Sequence, residues 1–130
     1  SMGEYVASQV VKLMIKKGIV VNGSQLLLLG ITFKENCPDV RNTKIVDVIH
    51  ALTDYGITVT IYDPWASEQD VAHEYNLTIT NELPNQAFDA VVLGVAHTTF
   101  KTLDFAGLRK ELSILYDVKG ILGAQADGKL

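Results

Sequence analysis

The chemistry available to this chain is concentrated in one stretch. Lys34, Glu35, Asn36, Asp39 and Arg41 follow directly on the apolar run Leu26–Leu29 and a turn at Gly30. A helical pattern begins near Thr43, so the polar segment occupies a strand-to-helix connection. Open α/β sheets hold their ligands at such connections. Lys34 offers an ammonium that can pair with a phosphate or a sugar carboxylate, or simply a surface charge, and Phe33 offers an apolar face for a base or for core packing. Asp39 and Arg41 read as partners of each other, of nearby backbone, or of a ligand; paired, they would hold an irregular loop in one shape. The other strand-end candidates are Thr32, Asp63, His97, Asp117 and Lys119. Asp63 precedes Pro64 and reads first as a cap of the Asp-Pro turn. His97 reads either as a satisfied structural histidine or as a ligand contact.

Several chemistries find no pattern to support them. Gly30 stands alone where a dinucleotide fold needs G-x-G-x-x-G, and Phe33 and Lys34 fill the space a pyrophosphate would require. Asp63 superficially fills the place of a ribose-binding acid, but without those glycines capping of the Asp-Pro turn is the preferred of the two readings. No spacing of histidines and acids makes a zinc site, and there is no nucleophile elbow or serine triad. Cys37 is the only cysteine, which removes internal disulfides and thiolate clusters. It reads as a small loop or packing residue before a nucleophile. His50 and His73 fall on predicted helices without partners for a site. The reading is of binding features without a reaction centre.

These residues must be positioned by a regular frame. Val6, Val10, Leu13 and Met14 recur on one face of a helix from about Glu4 to Lys17, with Lys16, Lys17 and Gly18 suited to its end and no evident cap at its start. Ser1-Met2 reads as a cloning junction and is set aside. Asn22-Gly23 marks a turn, and Leu26–Ile31 reads as a strand buried on both faces because it does not alternate. Ile45, Val48, Ile49 and Leu52 predict a helix over Thr43–Tyr55, stopped by Gly56. Thr58–Tyr62 is a strand, Ser67–Glu74 a short helix, Leu77–Ile79 a brief strand and Ala90–Val95 another buried strand. Phe105, Leu108 and Leu112 predict a helix before strand Ile114–Tyr116, and the tail from Gly123 to Leu130 carries little pattern. The expected fold is α/β: a three-layer, doubly wound, Rossmann-like, mostly parallel sheet with helices on both faces.

Composition sets outer limits. The 130 residues suffice for one core, and 48% hydrophobic with 20% charged residues is ordinary for a folded domain. A net charge of −4 with scattered basic residues argues against nucleic acid as a partner. No apolar run reaches the roughly 20 residues of a membrane span, and no signal core opens the chain, so the expected setting is cytoplasmic.

The segments GITFKENCPDVRNTK (residues 30–44), TVTIYDPWA (58–66), VVLGVAHTTF (91–100) and LYDVKGIL (115–122) together resemble the C-terminal, nucleotide-sugar-binding domain of the UDP-glucose/GDP-mannose dehydrogenases. Within that family FKENCPDVRNTK is most similar to the bacterial UDP-N-acetylglucosamine and UDP-N-acetylgalactosamine 6-dehydrogenases of surface polysaccharide (capsule or O-antigen) synthesis. The resemblance implies residues 1–22 as the end of a central linking helix with its connector, and residues 23–130 as the C-terminal domain. It implies that NAD and the catalytic cysteine belong to upstream regions, so that this segment alone is inactive and Cys37 is not the nucleophile. It implies UDP-N-acetylhexosamine as substrate and a homodimeric full-length enzyme. Residue by residue, it implies substrate contact for Phe33 and Lys34 and loop organisation or closure for Asp39 and Arg41. Lys129 stands where many relatives carry an arginine near a C-terminal Asp-Gly; it replaces a bidentate fork by a point charge. The alternative from another class is a stand-alone nucleotide-binding or regulatory module without catalysis.

Overall fold

A computed structural model describes all 130 residues. Five strands, β1 (Gln25–Leu29), β2 (Thr58–Tyr62), β3 (Phe88–Leu93), β4 (Arg109–Asp117) and β5 (Gly128–Lys129), form one sheet in the order β2-β1-β3-β4-β5. Every pairing is parallel. The α-helices are α1 (Met2–Lys16), α2 (Ile45–Asp54) and α3 (Glu68–Tyr75). The apolar runs Leu26–Leu29 and Ala90–Leu93 are buried throughout, as strands covered on both faces must be.

Successive side chains of these strands feed opposite layers. Leu26, Leu28, Ala90, Val92, Ile114 and Tyr116 join α1 and α2 in one cluster. Leu27, Leu29, Val91, Leu93 and Leu115 join Phe100, Phe105 and Leu108 in the other. The second layer is carried by two 3-10 helices, Thr98–Thr102 and Phe105–Leu108. Helical layers thus cover both faces of the parallel sheet, the expected Rossmann-like architecture. α1 and α2 pack closely because Gly3 lies against Asp47: a Cβ there would sit 2.6 Å from the Asp47 carbonyl carbon.

Four local expectations are corrected. The start of α1 is capped, since Ser1 Oγ accepts from the Glu4 N–H at 3.3 Å. Leu77–Ile79 does not form a strand; it leads only to a single parallel bridge between Tyr62 and Thr80. The predicted helix at Phe105–Leu112 is one 3-10 turn followed by the exposed start of β4. Phe105 and Leu108 bury, but Leu112 is 52% exposed and belongs to a strand whose register slips against β3. The patternless tail becomes β5, because a side chain holds it: Asp127 accepts from Leu115 N–H at 2.7 Å, Arg109 Nη2 at 3.0 Å and Lys17 Nζ at 3.3 Å. No helix is long and apolar enough to cross a membrane.

Candidate functional site

Strand order reverses direction between β1 and β3, the position at which doubly wound sheets open a crevice beyond the carboxyl ends of their strands. A cleft of about 180 Å³ lies there, lined by Thr32, Phe33, Asn42, Lys44, Gly94 and Lys119 among others. A wider depression of about 590 Å³, lined by Gly18–Ser24 residues and Lys110–Leu112, sits at the opposite edge of the sheet. It is the larger concavity, but the amino ends of parallel strands are not where this architecture converges its loops and helix N-termini.

The β1–α2 connection bounds the cleft and is held at several points. Gly30 has φ +94°, and a Cβ there would stand 2.6 Å from Val95 Cβ, so only glycine lets the β1 and β3 ends approach. Beyond it, Asp63 is fully buried at the end of β2. Its Oδ2 accepts from the N–H groups of Ile31 (2.7 Å) and Thr32 (3.2 Å), and its Oδ1 accepts from those of Trp65 (2.8 Å) and Ala66 (3.1 Å). His97, also fully buried, brings Nε2 to 3.0 Å from Oδ2. Burial pushes the Asp63 carboxyl upward, but the hydrogen bonds from His97, Ile31 and Trp65 outweigh it and hold the group below the usual carboxylate range. Asp63 therefore caps the turn, as the Asp-Pro reading expected. It also gathers the ends of β1, β2 and β3 around one charge.

The other ring nitrogen of His97 fixes its state. Nδ1 lies 2.9 Å from the backbone N–H of Asn36, which can only donate, so Nδ1 keeps its lone pair. The ring proton is then on Nε2, facing Asp63, and the imidazole is neutral. This arrangement excludes a triad. Thr32 Oγ1 is 3.3 Å from the same Nε2 that faces Asp63, whereas a triad needs hydroxyl and carboxylate on opposite nitrogens. Cys37 is half-buried and stands apart from this network. His97 is thus the satisfied structural histidine of the two readings.

Asn36 continues the tether. Its φ of +53° is left-handed, a region asparagine tolerates. Its side chain exchanges two hydrogen bonds with Thr98, Nδ2 to Oγ1 at 2.8 Å and Oδ1 from the Thr98 N–H at 3.0 Å. Across the loop, the Phe33 N–H donates to Asp39 O at 2.7 Å. Tyr75 of α3 bridges the far end, donating to Val40 O and accepting from the Thr43 N–H. Arg41 grips Asp39 as a fork, Nε to Oδ1 at 3.0 Å and Nη2 to Oδ2 at 3.1 Å. Those hydrogen bonds hold the Asp39 carboxyl at about 2. The mutual pairing anticipated for Asp39 and Arg41 is present.

Among the predicted substrate contacts, Phe33 lines the cleft and is 55% exposed. Lys34 is exposed beside it, while its carbonyl accepts from Thr32 Oγ1 at 2.9 Å. Lys129 pairs in register with Asp117 at the carboxyl end of β5. It shares the edge but lies three strands from β1, roughly 14 Å at about 4.8 Å per strand spacing. The structure therefore brings Phe33 and Lys34 together and leaves Lys129 at the margin. Lys44 and Asn42 line the cleft and were not singled out in the sequence; their place next to the α2 start was the available signal. Lys34, Lys44, Lys119 and Lys129 enter none of the chain's ion pairs. Two of these ammonium groups, Lys44 and Lys119, line the cleft with the exposed Phe33 ring at the start of a helix, Lys34 is exposed next to Phe33 in the chain, and no acid lines the cleft, a setting that suits an anion carrying an apolar ring.

Residues 27–124 match the profile of the UDP-glucose/GDP-mannose dehydrogenase family, UDP binding domain. A UDP-N-acetyl-D-glucosamine 6-dehydrogenase of Pseudomonas aeruginosa is 47% identical over 93% of this chain and 29% of its own length. The enzyme of the same name from Salmonella typhi is 46% identical over 100% of this chain and 32% of its own. A solved UDP-D-ManNAc dehydrogenase from Pyrococcus horikoshii superposes with a TM-score of 0.77 at 17% identity, over 98% of this chain and 30% of that one, which speaks for the fold alone. This chain spans about a third of the length of these proteins.

Proposed function

The chain belongs to the UDP-glucose/GDP-mannose dehydrogenase family, and on that premise we propose that it is the nucleotide-sugar-binding domain of an NAD-dependent UDP-N-acetylhexosamine 6-dehydrogenase. The observation that carries this reading is the cleft at the β1–β3 reversal, where Phe33 and unpaired lysines meet. In this reading Phe33 packs against the nucleoside end and Lys34 pairs with the diphosphate or the sugar. Lys129 supplies a further cation from the edge strand, and Asp39 and Arg41 keep the loop in its binding shape. Residues 1–22 are the end of a linking helix with its connector, and residues 23–130 form the binding domain.

The reaction of the longer enzyme is oxidation of the sugar C6 alcohol to a carboxylate for surface polysaccharide synthesis. That change removes four electrons, as two hydrides to two NAD molecules, and consumes one water. The residues of this chain do not fit a dinucleotide cradle: Gly30 is the only glycine in the β1–α2 connection, and α2 begins only at Ile45. NAD and the reacting groups are therefore assigned to regions outside this segment. Anchoring the nucleotide here contributes orientation, letting remote binding energy hold C6 at the reacting centre. We place the enzyme in the cytoplasm as a homodimer.

The test is a comparison of this chain with the full-length protein. The full-length protein should reduce two NAD per UDP-N-acetylglucosamine or UDP-N-acetylgalactosamine, and the 130-residue chain should reduce none. NAD reduction by the short chain, or failure of the full-length protein with both sugars, would overturn the assignment.

A further inference from the structure

We propose that His97 is a positioning residue for the nucleotide-binding loop, acting through its acceptor nitrogen on the backbone of Asn36. The proposal rests on the binding reading above for its ligand, but its geometry stands independently. The Asn36 N–H reaches Nδ1 at 2.9 Å, at a left-handed residue two positions after Lys34. The ring is immobilised on its other side by the Asp63 carboxylate at 3.0 Å and is fully buried. Phe100 packs against it at 5.2 Å between centroids and Trp65 at 6.2 Å. A rigid acceptor set in the core thus dictates where the Asn36 amide points. The Asn36 side chain, clipped to Thr98, repeats the constraint from outside. Between that point and the Asp63-bound amides of Ile31 and Thr32, only Phe33, Lys34 and Glu35 are left to face solvent, so His97 sets how the two proposed contacts are presented.

The two nitrogens have separable jobs, and side-chain amides can imitate each one alone. In His97→Asn the Oδ1 stands near the position of Nδ1 and can accept from Asn36 while the Asp63 contact is lost. In His97→Gln the terminal amide reaches the Nε2 position and can donate to Asp63 while the Asn36 acceptor is lost. A purely structural histidine would give effects that follow thermal stability in both variants.

The experiment uses the 130-residue chain and reads two quantities: hydrogen exchange at the Asn36 amide without ligand, and UDP affinity by NMR titration. His97→Gln should speed Asn36 exchange and weaken UDP by about tenfold, the upper worth of one hydrogen bond. His97→Asn, compared at equal distance below its own Tm, should keep Asn36 protected and UDP affinity within about threefold of the parent. Unchanged Asn36 exchange and UDP affinity in His97→Gln would overturn the proposal, as would equal losses in both variants. If the parent chain binds no UDP, the binding reading fails while Asn36 exchange still decides the positioning role.

Discussion

Asp63 Oδ2 and His97 Nε2 meet at 3.0 Å with neither side chain exposed, and between them they hold the carboxyl ends of three strands. Asp63 satisfies four backbone N–H groups from the segments after β1 and β2, while His97 reaches the loop that follows β1. Removing the carboxylate leaves buried donors without partners. Asp63→Ala should therefore destabilise the fold by about 3–5 kcal/mol, read by urea unfolding with an unchanged m-value. A loss below about 1 kcal/mol would mean the pair is not a structural centre.

The same carboxylate predicts the acid limb of stability. Its folded-state pKa is depressed, so its contribution is fully present above the unfolded-chain value of about 3.9. The contribution is lost as pH falls through the lower folded value. Asp127 is depressed as well: burial works against it, but the Leu115 N–H and Lys17 outweigh burial. Stability should accordingly decline below about pH 4, and the decline should be shallower in Asp63→Asn. An identical pH slope in parent and variant would refute the linkage.

Gly30 makes the approach of β1 and β3 possible. Gly30→Ala combines a φ of +94° with a Cβ placed 2.6 Å from Val95 Cβ. It should cost more than about 1 kcal/mol and shift the amide resonances of Gly94 and Val95. Wild-type stability in this variant would show that the crevice does not need the glycine.

Much of this was legible beforehand, for identifiable reasons. The runs Leu26–Leu29 and Ala90–Leu93 announce buried parallel strands because nothing in them alternates, and Ile45, Val48, Ile49 and Leu52 announce α2 by spacing. The Asp63 cap was legible because Pro64 follows it. Contacts made over long sequence distance were not. Nothing near His97 indicates that Asn36 donates to it, and nothing near Gly128 indicates a strand, because β5 is held by Asp127 bonding to Leu115, Arg109 and Lys17. The Phe105–Leu112 segment misled because Phe105 and Leu108 fit one turn of any helix, while Leu112 is turned outward by the register slip in β4.

The Asp127 latch gives its own test. Asp127→Ala should release β5 and with it Lys129, raising hydrogen exchange at Leu130 and Leu115 and lowering stability by about 1–3 kcal/mol. Retained protection at both amides would show that backbone pairing alone holds the tail.

If the nucleotide end of a UDP-sugar docks beyond the carboxyl ends of β1 and β3, where their connections part, a residue-resolved UDP titration of this chain measures it most directly. UDP should shift amides of Thr32–Asn42, Gly94–Val95 and Val118–Lys119. Lys34→Ala should weaken that binding by about five- to tenfold with no loss of folding. Shifts gathered instead around Gly18–Ser24 and Lys110–Leu112 at the opposite edge, or equal affinity in Lys34→Ala, would contradict the account.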